Sequence, residues 1–295
     1  MMKDKSKLTG QLLALFCAFV WGITFVSTKV LLTKLSAAEI LFFRFILGYF
    51  ALWVVYPKKN TYRGIKNELL YMAAGICGTT IYQFLENTAL SLTQASNVSI
   101  IVSTAPLFTG IAAWAVFKDR IKHSFILGFV VAMLGILLIN LNAGYVLKLN
   151  PIGDLLALGS AVLWAVYTLL VKIINEKSDS VLGSTRHIFF YGVLFMLPLL
   201  AVNGFNGAAF SALLNPKILL NMFFLGVVAS AACFVTWNAA VRQIGAVTAS
   251  VYIYLIPVIT LIFSLTVLDE KVGIIGIAGM ALVLLGLGIS EYKKK

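Results

Sequence analysis

The sequence predicts an all-α integral membrane protein: ten transmembrane helices forming two inverted five-helix repeats, with both termini cytoplasmic. Three observations predict it. The 295 residues are 61% hydrophobic and only 12% charged, whereas soluble domains carry about 25% charge. The apolar residues fall into ten runs with short connections, each of roughly the 20 residues that a helix needs to cross a hydrocarbon core at about 1.5 Å per residue. One stretch also occurs twice: GQLLALFCAFVWGITFVSTK (10–29) and GDLLALGSAVLWAVYTLLVK (153–172) agree at 8 of 20 positions at an offset of 143.

The first run, 10–31, places Cys17, Trp21, Thr24 and Thr28 on one helical face by their spacing of 4, 3 and 4. No small-x-small site follows it, so it is read as a retained span. The second run, 38–56, carries Arg44 and stops before Lys58 and Lys59. The third, 69–90, has the most regular polar stripe: Thr79, Tyr82, Gln83 and Glu86 at i, i+3, i+4 and i+7. The fourth, 96–117, presents Ser96, Ser99, Ser103 and a mid-span Pro106, and the fifth, 124–141, presents Gly128, Ala132 and Gly135. The sixth, 153–173, repeats the first with Ser160, Trp164 and Tyr167, and the seventh, 187–202, starts at His187. The eighth, 218–241, carries Ser230, Cys233, Trp237 and Asn238. The ninth, 248–267, carries Thr248, Tyr252, Tyr254 and Pro257, and the tenth, 273–290, carries Gly279 and Gly286.

Beyond its first span the duplication continues at an offset of 151, which pairs Gly75 with Gly226, Asn87 with Asn238, Ser99 with Ser250 and Pro106 with Pro257. The expected units are 1–145 and 146–295. Five spans per unit is an odd number, so the second copy enters the membrane from the opposite side. Such inverted repeats can exchange conformations and open a central site to each side in turn.

Charge placement fixes the expected orientation. With the N-terminus inside, 17 of the 23 Lys and Arg residues fall on the cytoplasmic side, from Lys3, Lys5 and Lys7 through Lys118, Arg120 and Lys122 to Lys293–Lys295. Five lie outside (Lys29, Lys34, Lys148, Lys217, Lys271), and Arg44 lies within a span. This is the positive-inside bias, so the net charge of +12 reports topology and not a nucleic-acid partner. Cys17, Cys77 and Cys233 lie inside spans without paired spacing and read as small apolar residues.

Polar groups facing lipid are costly, so the stripes mark a protein interior. Expected substrate-contacting residues are Trp21, Thr24, Thr79, Tyr82, Gln83, Glu86, Ser99, Ser103, Trp164, Tyr167, Trp237, Asn238 and Tyr252. Ser and Thr in spanning helices often just bond back to their own backbone, whereas Trp21 and Trp164 sit too deep to be interfacial anchors. Pro106 and Pro257 are expected hinges, since each removes a backbone hydrogen bond. Glu86 and Arg44 lie roughly 6 and 9 Å below the outer boundary at 1.5 Å per residue. Glu86 is therefore either a proton- or substrate-coupling carboxylate or an ion-pair partner of Arg44 or Lys29. The glycines of the fifth and tenth spans suit close helix packing and offer a contact for a homodimer, if the protein is not a monomer. His187 is expected at the interface.

The chain resembles the EamA-type carriers of the drug/metabolite transporter superfamily in WGITFVSTK (21–29), RF (44–45), TALSLTQASNVSIIVSTAPLF (88–108), LWAVYTLLVK (163–172) and AAVRQIGAVTASVYIYLIPV (239–258). An acidic residue after each fourth helix, Asp119 and Glu270, adds to the likeness, although the family more often has Glu at the first. Glu86 stands where the family usually has a neutral residue. The resemblance implies a cavity lined by the first, third, fourth, sixth, eighth and ninth helices, and a secondary carrier of small metabolites or drugs in the cytoplasmic membrane, often an exporter. Amino acids or amines are the leading cargo, a lipid-linked sugar or other polar lipid is the alternative, and protons are a candidate coupling ion. An intramembrane enzyme would need convergent catalytic groups, yet the only histidines, His123 and His187, sit at span ends. No nucleotide-binding loop is present, and no cofactor or metal is expected. A receptor or scaffold would not need duplicated polar stripes.

Overall fold

The computed structural model describes residues 2–58, 64–93, 95–142, 150–203, 208–267 and 273–291, and every regular element among them is helical. The expected repeat boundary at 145/146, Glu270, several of the counted basic residues (Lys59, Arg63, Lys148, Lys271 and Lys293–Lys295) and the side chain of Ser96 lie outside the described residues. The main helices are α1 (Met2–Leu32), α2 (Ala37–Val55), α3 (65–92), α4 (Ala95–Val102 and Ala105–Phe117), α5 (His123–Asn142), α6 (Pro151–Lys177), α7 (Val181–Asn203), α8 (Pro216–Ile244), α9 (246–267) and α10 (Ile274–Glu291). A short helix, Ala208–Leu213, precedes α8.

Local sequence explains where several of them begin. Ser36 and Glu39 form a capping box at the start of α2, each accepting from the other's backbone N–H. Asn150 and Asn215 cap α6 and α8, each followed by a proline at the first helical position, where a missing N–H does no harm. A single residue, Gly245, joins α8 to α9 with φ 85°, a conformation that glycine adopts without steric penalty.

Among the described residues, eight helices are long and apolar enough to cross a membrane, and His123–Ile139 is a shorter apolar helix. α3 is continuous over 65–92 but carries Thr79, Thr80, Gln83, Glu86 and Asn87, all buried. It is accordingly less apolar than the eight. The first part of α1 and the last turn of α10 meet at one end of the bundle, here called the terminal end, where Gln11 donates to Glu291 at 2.8 Å. At the far end, Lys29 of α1 donates to the carbonyls of Leu90 and Thr93.

Helices touch at backbone distance in several places, and two of these crossings are related by the duplication. A Cβ on Gly75 of α3 would lie 2.8 Å from the backbone nitrogen of Gly192 in α7. A Cβ on Gly48 of α2 would lie 3.0 Å from the carbonyl oxygen of Gly226 in α8, the repeat mate of Gly75. The small-residue faces of α5 and α10 cover each other within the chain: Cβ atoms on Gly135 and Gly279 would come within 2.6 and 2.7 Å of each other's carbonyl oxygens. Gly135→Leu is therefore expected to destabilise the protein by about 3 kcal/mol, because the obstacle is backbone and cannot turn aside. Thermal unfolding in detergent measures this, and an unchanged midpoint would contradict the packing.

Both α3 and α8 contain a π-helical stretch, Ile76–Ile81 and Phe224–Ala232. α9 contains a 3₁₀ stretch, Val251–Tyr254, at the place where α4 has its turn at 103–104. These departures from 3.6 residues per turn re-aim the side chains that follow them.

Candidate functional site

An aromatic cluster joins the two halves at the centre of the bundle. Trp21 of α1 and Trp164 of α6 meet edge to face with centroids 5.1 Å apart, and Trp237 of α8 lies 5.2 and 5.5 Å from them. Tyr82, Tyr167 and Phe234 complete it, each within 6 Å of Trp164. Trp21 is anchored by its Nε1, which donates to the Ala229 carbonyl at 3.1 Å. The indole nitrogens of Trp164 and Trp237 have no partner among the described residues.

Beside this cluster is a small cavity bordered by Trp21, Thr24 and Phe25 of α1, Arg44 of α2, and Tyr82, Gln83 and Glu86 of α3. Val102 of α4, Trp164 of α6, Phe234 of α8, and Ile253 and Ile256 of α9 close it. Its volume is about 20 Å³, room for about one water molecule. A metabolite enters only if the helices move. Val102 and Ile253 are repeat mates, and each lies four residues before a proline, Pro106 or Pro257. Each proline removes the donor that a regular helix would supply to the Val102 or Ile253 carbonyl.

Arg44, 2% exposed, is held on two sides: Nε donates to Ser230 Oγ at 2.5 Å and Nη1 to Gln83 Oε1 at 2.7 Å. Glu86 accepts from Tyr82 Oη at 2.6 Å. Arg44 acts on Glu86 electrostatically across the cavity, but the direct partners of each charge are neutral groups. Lys29, the other expected partner for Glu86, instead caps the carbonyl end of α3.

Not every expected residue reaches the cavity. Thr79 bonds back to the Gly75 carbonyl at 2.6 Å and lies against Gly192 of α7, because the π turn breaks the register linking it to Tyr82 and Glu86. Ser103 bonds back to Ser99, and both are buried in α4. Tyr252 points to the terminal end, where its hydroxyl donates to Glu291 at 2.7 Å, since the 3₁₀ turn rotates it away. Tyr167 Oη donates to Asn238 Oδ1 at 2.9 Å behind the aromatic cluster. His187 is stacked between Tyr71 and Tyr191, with Nε2 3.0 Å from a Glu68 oxygen.

Sequence reasoning missed Phe25 and Phe234, which line the cavity, and Glu291, which draws α1 and α9 onto α10. For the two phenylalanines the available signal was helical spacing, four residues from Trp21 and from Ser230. A larger cavity of about 610 Å³ occupies the terminal end, bordered among others by Lys7, Asp119, Arg120, Lys122 and Glu291.

A model of the EamA-like transporter family matches residues 8–141 and again 151–291. A protein of Archaeoglobus fulgidus named an uncharacterized transporter is 30% identical over 288 residues, covering 93% of this chain and 96% of its own. A protein of Streptantibioticus cattleyicolor named a probable terminal-alkyne amino-acid exporter is 26% identical, with 94% of each chain covered. One solved crystal structure matches with a TM-score of 0.76 over 96% of both chains at 15% identity, which shows a common fold.

Proposed function

The chain belongs to the EamA-like transporter family, and from that premise we propose a secondary transporter that moves a small amino acid, amine or drug-like solute across the cytoplasmic membrane by alternating access. The observation that carries the reading is the closed aromatic cavity where both halves meet, with one carboxylate and one guanidinium on its wall. Aromatic faces suit flat or cationic solutes through stacking and cation–π contact. A carboxylate and a guanidinium together suit a zwitterion, in keeping with the relative named an amino-acid exporter. A compact, enclosed site favours such a solute over a polar lipid.

Ten spans in inverted halves, with both termini cytoplasmic, complete the proposal. It is supported by the two successive family matches, by the meeting of the first part of α1 with the last turn of α10, and by the paired glycine crossings. In this orientation the 610 Å³ cavity is a cytoplasmic vestibule. Cysteines placed at Asn60 and Ser178 in a cysteine-free background are expected to label only from the cytoplasm, and one at Asn206 only from outside. Asn60 and Asn206 lie outside the described residues. Labelling at Ser178 from outside would overturn the orientation.

Function is tested in proteoliposomes. A thermal-shift screen against metabolite pools nominates ligands, since a solute that binds only the folded state raises its stability. Saturable uptake stimulated by counterflow of the same solute is the expected result. Uptake that neither saturates nor shows counterflow would identify a pore instead.

A further inference from the structure

Asn87 and Asn238 are the same residue of the duplicated unit, superimposed by the offset of 151, yet their surroundings differ. Asn238 is fully engaged: Oδ1 accepts from Tyr167 Oη, Nδ2 donates to Thr185 Oγ1, and its carbonyl accepts from Asn175 Nδ2, each at 2.9 Å. One residue of α8 thereby ties that helix to α6 and α7 at the terminal end. Asn87 is 0% exposed, and both its Oδ1 and its Nδ2 lack a partner among the described residues. A buried amide left unpaired is unfavourable enough to demand an explanation.

We propose that Asn87 and Asn238 are alternate latches of the transport cycle. In the conformation described here Asn238 is bonded and holds α6 to α8 at the terminal end. In the opposite conformation that latch opens, and Asn87 gains its partner as α1 and α3, which Lys29 already joins at the far end, draw closer together beside the cavity. The inference rests on the transporter reading above.

The duplication also names the partner. The offset of 143 carries Tyr167 onto Thr24, whose hydroxyl here bonds back to the Trp21 carbonyl at 2.7 Å. Thr24 already shares the cavity wall with Glu86, the neighbour of Asn87. Asn175 and Thr185 map onto Leu32 and Phe42, which offer no polar side chain. The first-half latch is therefore lighter, one hydroxyl against three hydrogen bonds, and the empty protein favours the conformation with Asn238 bonded.

Spin-label distances test this in the full chain reconstituted in lipid, with Cys17, Cys77 and Cys233 replaced. Labels at the exposed residues Glu176 and Arg242 read the terminal ends of α6 and α8, and labels at Thr33 and Ser91 read the far ends of α1 and α3. Asn238→Ala is expected to lengthen the first distance and to enrich the short form of the second. Asn87→Ala and Thr24→Val are expected to do the reverse. Each single bond lost should change the population ratio by about fivefold, the equivalent of one net hydrogen bond. If Asn87→Ala does not fold, Thr24→Val, which keeps the side-chain shape, decides the matter. The proposal is overturned if Asn238→Ala shifts the populations while Asn87→Ala and Thr24→Val leave them at parental values, or shift them in the same direction. The carrier reading would survive that outcome. It would fail, and the latches with it, if both distances stayed single and unmoved in every variant and under an imposed proton gradient.

Discussion

Glu86→Gln protein is expected to fold and to lose pH-gradient-driven transport at least tenfold, while retaining exchange that needs no gradient. The substitution keeps an acceptor for the Tyr82 hydroxyl and removes only the charge and the ability to carry a proton. Its effect on stability should be about 1 kcal/mol, the difference between a charge-assisted and a neutral hydrogen bond. Arg44 does not depend on Glu86 for its place, because Ser230 and Gln83 hold the guanidinium. The expectation rests on a carboxylate inside a membrane protein, held by a hydroxyl and facing a cavity, where ionisable groups commonly mark proton or substrate pathways. Uptake driven by an imposed pH gradient, measured beside counterflow in the same vesicles, separates the outcomes. Full gradient-driven activity in the variant would remove Glu86 from coupling, and loss of folded protein would make it an electrostatic counterweight to Arg44.

The second large effect concerns the indoles. Trp21→Ala and Trp164→Ala should each reduce transport more than they reduce folded yield. Trp164 touches five other rings, so truncation to Ala costs about 3–5 kcal/mol in packing alone, and a gentler variant is needed. Trp164→Phe preserves most of the ring contacts and removes an indole N–H that has no hydrogen-bond partner among the described residues. Its folded yield should stay near the parent's while transport falls about tenfold, the worth of one buried hydrogen bond to the solute. Trp21→Phe instead loses the bond to the Ala229 carbonyl and should lower the unfolding midpoint. Equal losses of yield and activity in Trp164→Phe would return that residue to packing.

How far the sequence carried these conclusions depended on helical regularity. Trp21, Thr24 and Trp164 lie in uninterrupted α-helix, where spacing and structure put them on the same side, along the cavity wall. Thr79 and Tyr252 lie in the π and 3₁₀ segments, where a rule of 3.6 residues per turn points the wrong way. Arg44 and Glu86 could be placed at similar depth, but partner choice was beyond spacing: Ser230 and Gln83 reach the guanidinium first because α8 and α3 flank it. The bonds of Asn238 were invisible for the same reason, since its three partners come from α6 and α7 and are settled only by tertiary packing.

The two π turns hold a record of ancestry. The offset of 151 carries 76–81 onto 227–232, inside the second π stretch. A wide turn of this kind amounts to one residue more than the regular helix would hold. Two independent insertions would have had to strike the same turn in both copies, whereas one insertion in a single ancestral unit accounts for both. The extra residue is then older than the doubling of the gene. The ancestor already had its irregular third helix when its gene was doubled, and the helix came to both halves of the chain ready-made.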